Sequence, residues 1–261
     1  MLNQIIQIVK NASKLMNTTD FEVTLKGTES NVVSSIDIAV EKYLREQLMP
    51  LFPDTGFIGE ECEASDFDHT YLWVVDPIDG TKNFVRGLKS SCISVGLLKD
   101  KEPYMGVIYN PYLDELYSAE KGKGAFLNGT QIHVSDKNLP SSLFCTAMSL
   151  YNKSLAPYCF HIIEKVYPDC DDIRRIGSAA IELALLASGR VDLYFEIRVF
   201  PWDIAAGILL IREAGGFIGT IDYDQFPVNR PVPVFAANTK ENFEYLQKII
   251  LEEIPHIPYE N

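Results

Sequence analysis

The sequence predicts an α/β protein, and three observations lead there. The run 71–75, YLWVV, is short, aromatic and β-branched, the composition of a strand buried on both faces, and it stops at Asp76. The second half alternates apolar helical segments with short strand-like ones. The chain has 261 residues and is 47% apolar, ample for a sizeable core.

Charge and cysteine usage narrow the class. Thirty-six acidic residues against 23 basic ones give a net charge of -13, which argues against a nucleic-acid surface and against adsorption to anionic membranes. An anionic substrate would therefore need local cations. The five cysteines, Cys62, Cys92, Cys145, Cys159 and Cys170, are odd in number and widely spaced, which fits neither a disulfide framework nor a zinc ribbon. The longest apolar run, 204–211, is too short to span a bilayer, and the N-terminus lacks a basic start and a signal-peptide core. The expectation is a cytoplasmic protein with no membrane partner.

Taken in order, Leu2, Ile5, Ile6, Val9, Ala12 and Met16 recur at helical spacing and predict an amphipathic first helix. A polar stretch, 24–31, contains Lys26 and reads as a loop able to close over a site. The run Ser34, Ser35, Ile36, Asp37 resembles a helix N-cap, and Ile36, Val40, Tyr43, Leu44 and Leu48 mark the buried face of a second helix. A short strand at 56–59 delivers Glu60 and Glu61, then strands are expected at 90–98 and 104–109, and around 116–118 and 124–126. Asn128-Gly129 is a hairpin turn, and His133 reads as a strand residue. A soft boundary near 138–142 divides an N-terminal α+β half, 1–140, from a C-terminal α/β half, 141–261, the two forming one compact unit. The second half reads as a strand at 143–148, a helix at 156–166, a strand near Ile173 and a very apolar helix at 178–187 ended by Gly189. A strand at 191–195 leads through a loop carrying Glu196, Arg198 and Phe200 to a helix that starts at Pro201 and stops at Gly215-Gly216. Strands at 217–221 and 234–237 and a helix from Thr239 to about Glu252 close the chain.

The stretch WVVDPIDGTKNF, 73–84, carries the chemistry. Pro77 fixes its own φ and Gly80 permits a tight bend, so Asp76, Ile78 and Asp79 are held on a stiff turn at a strand end. Two carboxylates so placed repel each other unless a cation lies between them, and Mg²⁺ suits an all-oxygen site. Free N–H groups at Gly80 and Thr81 would favour an anion in the same space. The same run is also ordinary turn chemistry. Asp37 likewise reads as a first-turn helix acid, Asp203 as a helix cap, and Glu60-Glu61 as solvated charge.

With GEE at 59–61, DPIDGTKNF at 76–84, PWDIAAG at 201–207 and REAGG at 212–216, the sequence resembles the inositol monophosphatase family over nearly its whole length. The phrases YSAEKGKGAFLNG at 117–129 and RIGSAAIELALLASGRVD at 175–192 extend the likeness. The resemblance implies a layered α/β sandwich of the inositol monophosphatase and fructose-1,6-bisphosphatase type, two sheets alternating with helices, and an Mg²⁺-dependent phosphoric monoester hydrolase. It implies a first metal site of Glu60, Asp76 and the Ile78 carbonyl, a second of Asp76, Asp79 and Asp203, and a weaker third ion leaning on Glu60. It implies phosphate on the amides of Gly80 and Thr81, and an Asp37–Thr81 pair orienting the attacking water. Substrate hydroxyls would meet Glu196 and the turn Gly177, Ser178, Ala179, with Lys26 on a mobile loop. The expected reaction is in-line attack by a metal-activated water without a phosphoenzyme.

Inositol 1-phosphate is the first expected substrate, because Glu196 precedes Asp203 by seven residues as in the inositol enzymes. Lys82, where animal inositol enzymes usually carry threonine, and the distinctive Arg198-Val199-Phe200 leave 3'-phosphoadenosine 5'-phosphate and fructose 1,6-bisphosphate as alternatives. A non-enzymatic alternative is a regulatory binding protein that retains the fold. The family also implies a homodimer. The four histidines, His69, His133, His161 and His256, lie outside these motifs and receive no catalytic role.

Overall fold

In the computed structural model, which describes residues 1–25, 32–62, 67–149, 152–221 and 230–254, the chain opens on α1 (Leu2–Ala12), which buries Ile5, Val9 and Ala12. A hairpin of β1 (Val23–Leu25) and β2 (Val32–Ser34) runs into α2 (Ser35–Leu48). There the Ser34 N–H donates to Asp37 Oδ2 at 2.9 Å and the Asp37 N–H donates to Ser34 Oγ at 3.3 Å, which caps the helix reciprocally as its sequence suggests. Thr24, expected in a loop, belongs to β1, while Lys26 and Gly27 lie outside the described residues.

The first sheet is built in chain order from β3 (Thr55–Gly59), β4 (Tyr71–Asp79), β5 (Cys92–Lys99), β6 (Glu102–Asn110), β7 (Glu115–Glu120), β8 (Ala125–Leu127) and β9 (Thr130–Ile132). Only β3 and β4 pair in parallel; the rest is antiparallel. A short helix, α3 (Thr81–Val85), joins β4 to β5. The β8–β9 turn has positive φ at both Asn128 and Gly129, the mirror-image turn that a twisted hairpin favours. His133 falls one residue beyond β9, not within a strand.

The second half supplies β10 (Leu143–Ala147), α4 (Ala156–Val166), β11 (Asp172–Arg174), α5 (Ala179–Ala187), β12 (Leu193–Val199), α6 (Pro201–Glu213), β13 (Phe217–Thr220), β14 (Val232–Ala237) and α7 (Lys240–Glu253). Its sheet is mixed, in the order β11-β10-β12-β14-β13, with β10 parallel to both of its neighbours. The result is a layered sandwich: α1 and α2, the seven-stranded sheet, α5 and α6, the five-stranded sheet, then α4 and α7.

Side-chain alternation fixes these layers. Along β4, Trp73 and Val75 face the cluster containing Ile5, Val40 and Leu44, while Leu72 and Val74 face Ala205 of α6. Each such fully buried large side chain is worth roughly 1.5–3 kcal/mol of transfer free energy. Helix α6 lies close on the sheet because small residues meet there. A Cβ on Gly96 would stand 2.7 Å from Ala205 Cβ, and one on Gly106 would stand 3.0 Å from Ala206 Cα. Among the described residues no helix is long and apolar enough to cross a membrane.

Two strands run further than their sequences suggest. β4 does not stop at Asp76 but continues through Pro77 and Ile78 to Asp79, and β12 continues through Glu196 and Arg198 to Val199. Both do so by slipping register. In β4, Asp76 faces Ser94 and Asp79 faces Cys92, so β4 holds one extra residue; a proline is tolerated at such a bulge because its missing N–H is not called on there.

Candidate active site

The β4 bulge presents its acids on a stiff frame. The Ile78 N–H donates to Asp76 Oδ1 at 2.9 Å across Pro77, pinning the first carboxylate. Asp79 is reached from the start of α5, in the helical layer beside its own sheet: the Ser178 hydroxyl donates to its Oδ2 at 2.6 Å and the Ala180 N–H at 2.7 Å. Asp203, in the first turn of α6, accepts the Phe200 N–H on Oδ2 at 2.7 Å. Carboxylate oxygens of Asp76, Asp79 and Asp203 lie within 4.8 Å of one another.

Burial and mutual repulsion shape their titration. Burial, then the charges of Glu60, Asp79 and Asp203, push Asp76 well above the usual carboxylate range. Burial followed by Asp79 and Glu60 does the same to Asp203. Burial raises Asp79 to about 6, opposed by the Ser178 hydroxyl and by the amides of Ala180, Ala179 and Gly80, which favour its charged form. Glu60 stands outside the trio but close enough to raise two of its members. Three acids at this spacing ionise together only around a cation, and an all-oxygen donor set suits a hard divalent ion such as Mg²⁺.

Beside the acids, Thr81 Oγ lies 3.0 Å from Asp37 Oδ1 and 3.1 Å from the Ile78 carbonyl oxygen. Its single proton can serve one of these acceptors at a time. Asp37 is fully buried and raised by burial, against hydrogen bonds from Ser34 and Thr81. Gly80 adopts φ +86° at the head of α3, and a Cβ there would sit 3.1 Å from the carbonyl oxygens of Gly177 and Ser90, so the close approach of these loops excludes a side chain.

The acids of the trio, Gly80 and Thr81 border one cleft. Glu60, Asp76, Asp79, Asp203, Gly80 and Thr81 line one part of it. Lys82, Gly177, Ser178, Ala179, Glu196 and Arg198 line it as well, so the fold gathers them from remote stretches of chain. Asp37 and Ile78 sit just behind, reaching the cleft through Thr81. Glu196 accepts the Tyr194 hydroxyl at 3.1 Å and is raised to about 8 by burial and then by the charge of Glu182. Of the expected site residues only Lys26 falls outside the described residues. Among the histidines, His69 lies 3.0 Å from Asp54 and His161 3.2 Å from Glu253, both away from the cleft, and His256 is outside the described residues.

Sequence reasoning missed two supports and one cation. Asn83 Nδ2 lies 2.7 Å from the Ser90 carbonyl, 2.9 Å from that of Ile176 and 3.3 Å from that of Gly177, which ties α3 to the turn before α5. Its place inside DPIDGTKNF was the available signal. Glu182 accepts the N–H groups of Ile176 (2.7 Å) and Gly177 (3.1 Å) on one oxygen, and burial raises it to about 7. Arg175 lines the cleft, and nothing in the run Asp172 to Arg175 distinguishes it from a solvated charge.

The sequence profile of the inositol monophosphatase family matches residues 2–254. The inositol-1-monophosphatase of Rhizobium meliloti is 39% identical over 83% of this chain and 84% of its own length. The Nus factor SuhB of Xylella fastidiosa is 38% identical over 74% and 70%. Among solved structures, extragenic suppressor protein suhB from Bartonella henselae superposes with a TM-score of 0.87 at 33% identity, covering 97% of this chain and 98% of that one. With its fold, its acid cluster and these matches agreeing, the chain belongs to the inositol monophosphatase family, whose phosphatases depend on Mg²⁺.

Proposed function

We propose that this protein hydrolyses a phosphate monoester of a small polyol, with inositol 1-phosphate the first substrate to test. The observation that carries this reading is the trio Asp76, Asp79 and Asp203, crowded within 4.8 Å in the same cleft as the Thr81–Asp37 pair. Glu60, Asp76 and the Ile78 carbonyl would hold one Mg²⁺, and Asp76, Asp79 and Asp203 another, with Glu60 leaning on a weaker third. The ions would supply a Lewis acid for the phosphoryl oxygens and lower the pKa of water.

The chain's own residues do the rest. With its proton given to Asp37, Thr81 Oγ keeps lone pairs that accept from a water and orient it. The Gly80 turn and the Thr81 amide at the start of α3 face the transferring phosphoryl. The water oxygen bonds to phosphorus in line as the phosphorus–oxygen bond to the polyol breaks; the alkoxide takes up a proton and inorganic phosphate leaves. Glu196 and the 177–179 turn meet the polyol hydroxyls, and Lys82 and Arg198 border the same space. The two halves of the chain act as one catalytic unit, and a homodimer would sediment at twice the chain mass.

The test is phosphate release with Mg²⁺ from inositol 1-phosphate, 3'-phosphoadenosine 5'-phosphate and fructose 1,6-bisphosphate, with EDTA as control. Metal-dependent release led by the inositol ester supports the reading, and silence on all three contradicts it. A second reading, a regulatory binding protein that keeps the fold, draws support from the relative named Nus factor SuhB. A partner retained equally by the active protein and a metal-site variant would favour that role.

A further inference from the structure

Helix α2 carries Asp37, Glu41 and Arg45 at intervals of four residues, so their side chains share one face. Asp37 meets Thr81 Oγ at 3.0 Å. Glu41, one turn on, is only 4% exposed, and its Oε2 accepts the Glu61 N–H at 2.9 Å. Arg45, a further turn on, lies with its guanidinium 5.5 Å from the centre of the Phe57 ring in β3. One helix face therefore runs from the Thr81 hydroxyl to the end of β3.

A carboxylate this deeply buried needs a donor, and Glu41 takes one from the backbone of the turn that carries Glu60. The fit is close. A Cβ on Gly59 would stand 2.1 Å from Glu41 Oε2 and 2.5 Å from its Cδ, so the glycine at the end of β3 leaves room for the carboxylate. Beyond Glu61 the Cys62 thiol hydrogen-bonds the same side chain, and burial, then the charge of Glu41, push that thiol up to about 11. Glu41 thus lies against residues 59, 61 and 62, which flank Glu60 on both sides.

The turn decides where Glu60 points. β3 and β4 pair in parallel with Gly59 opposite Val75, so the next residues, Glu60 and Asp76, leave the ladder side by side. After burial, the charge of Glu60 is the largest influence on Asp76, and both residues line the cleft. Asp76, Asp79 and Asp203 are pinned by hydrogen bonds within β4, from α5 and at the head of α6. The matching hold on the Glu60 turn comes from α2.

We propose that Glu41 is a positioning residue for Glu60: its carboxylate clamps the 59–62 turn and sets the reach of Glu60 toward the divalent cation that Glu60 would share with Asp76. The inference rests on the reading of Glu60 as a ligand in a metal-dependent phosphatase. Because Asp37 and Glu41 stand one turn apart on α2, a single helix sets the Thr81 hydroxyl and the Glu60 carboxylate relative to each other. Loss of a group that orients a metal ligand costs about 10- to 100-fold in metal affinity or activity.

A double-mutant cycle tests this by calorimetric titration of the metal-free protein with Mg²⁺, in parallel with the Mg²⁺ dependence of phosphate release from inositol 1-phosphate. Glu41→Ala should weaken Mg²⁺ binding, and raise the half-saturating Mg²⁺ concentration, by about tenfold or more. Glu41→Gln, which removes the charge but keeps an oxygen to accept the Glu61 N–H, should stay near the parent. In a Glu60→Gln background Glu41→Ala should have little further effect, because the two residues act at one point. Gly59→Ala, whose methyl would displace the same oxygen, replaces Glu41→Ala if that variant does not fold. Unchanged binding in Glu41→Ala, an equal loss in Glu41→Gln, or additive losses in the double variant would overturn the positioning role. A non-additive loss of Mg²⁺ binding without turnover of inositol 1-phosphate, 3'-phosphoadenosine 5'-phosphate or fructose 1,6-bisphosphate removes the phosphatase reading and leaves the clamp. Turnover with Mg²⁺ binding indifferent to residue 41 removes the clamp and leaves the phosphatase.

Discussion

Two strands from different sheets supply the pocket, and each breaks its ladder by one extra residue: β4 between Asp76 and Asp79, opposite Ser94 and Cys92, and β12 between Glu196 and Val199, opposite Val234 and Val232. Their surroundings differ. At β4 the bulge contains a proline, and its acids are gripped by Ile78, Ser178 and Ala180. At β12 Glu196 accepts the hydroxyl of Tyr194, two residues away, and Arg198 rests on an aromatic face. The first bulge fixes charges at set spacings, which is what holding a metal and a transferring phosphoryl requires. The second aims longer side chains into the same cleft, which suits choosing among substrate bodies. Bulges re-aim side chains, and under the proposed function the same device would serve chemistry on one strand and selection on the other.

Asp79→Asn should have the largest effect. Its amide keeps an acceptor for Ser178 or Ala180, so the fold should hold by near-UV circular dichroism while kcat falls by at least about a hundredfold. Near-normal turnover would remove β4 from the chemistry. Asn83→Ala attacks the brace between the two regions. Carbonyls at Ser90, Ile176 and Gly177 lose their donor, which should cost about 1–3 kcal/mol in denaturant unfolding and raise KM more than it lowers kcat. A larger effect on kcat than on KM would mean the brace serves β4 alone.

The smallest expected effect is on pH dependence. In the metal-free protein Asp79 is raised to about 6, Glu182 to about 7 and Glu196 to about 8. The folded state therefore holds protons that the unfolded chain has already released, so this stability is present below the unfolded carboxyl values and is lost as pH rises through about 6 to 8. The melting temperature of the metal-free protein should fall between pH 5 and about 8.5, and Mg²⁺ should flatten the decline by favouring the charged acids. A melting temperature that rises over this window would contradict the burial of these groups.

The β4 side was the more legible for a physical reason. Its residues are contiguous, and proline, glycine and paired acids leave a local signature in DPIDGTKNF. The capping of α2 by Ser34 and Asp37, the Asn128-Gly129 hairpin and the helix at 156–166 were legible for the same reason, each being decided within a few residues. The β12 bulge left no such mark: Ile197 and Val199 are ordinary strand residues, and without a glycine or proline the segment after Phe195 read as a loop. Asn83 went unassigned because the carbonyls it reaches at Ile176 and Gly177 lie more than ninety residues away. Arg175 was passed over because only the fold brings it to the cleft, which no spacing encodes. The meeting of Asp37 with Thr81, 44 residues apart, came from the family resemblance and not from either residue's own surroundings.

A divalent-cation site at Asp76, Asp79 and Asp203 is open to calorimetric titration of the metal-free protein with Mg²⁺ at pH 8, parent against Asp79→Asn. Such a site gives saturable binding in the parent that is lost or weakened by at least about tenfold in the variant. Equal binding by both proteins, or none by the parent, would contradict it.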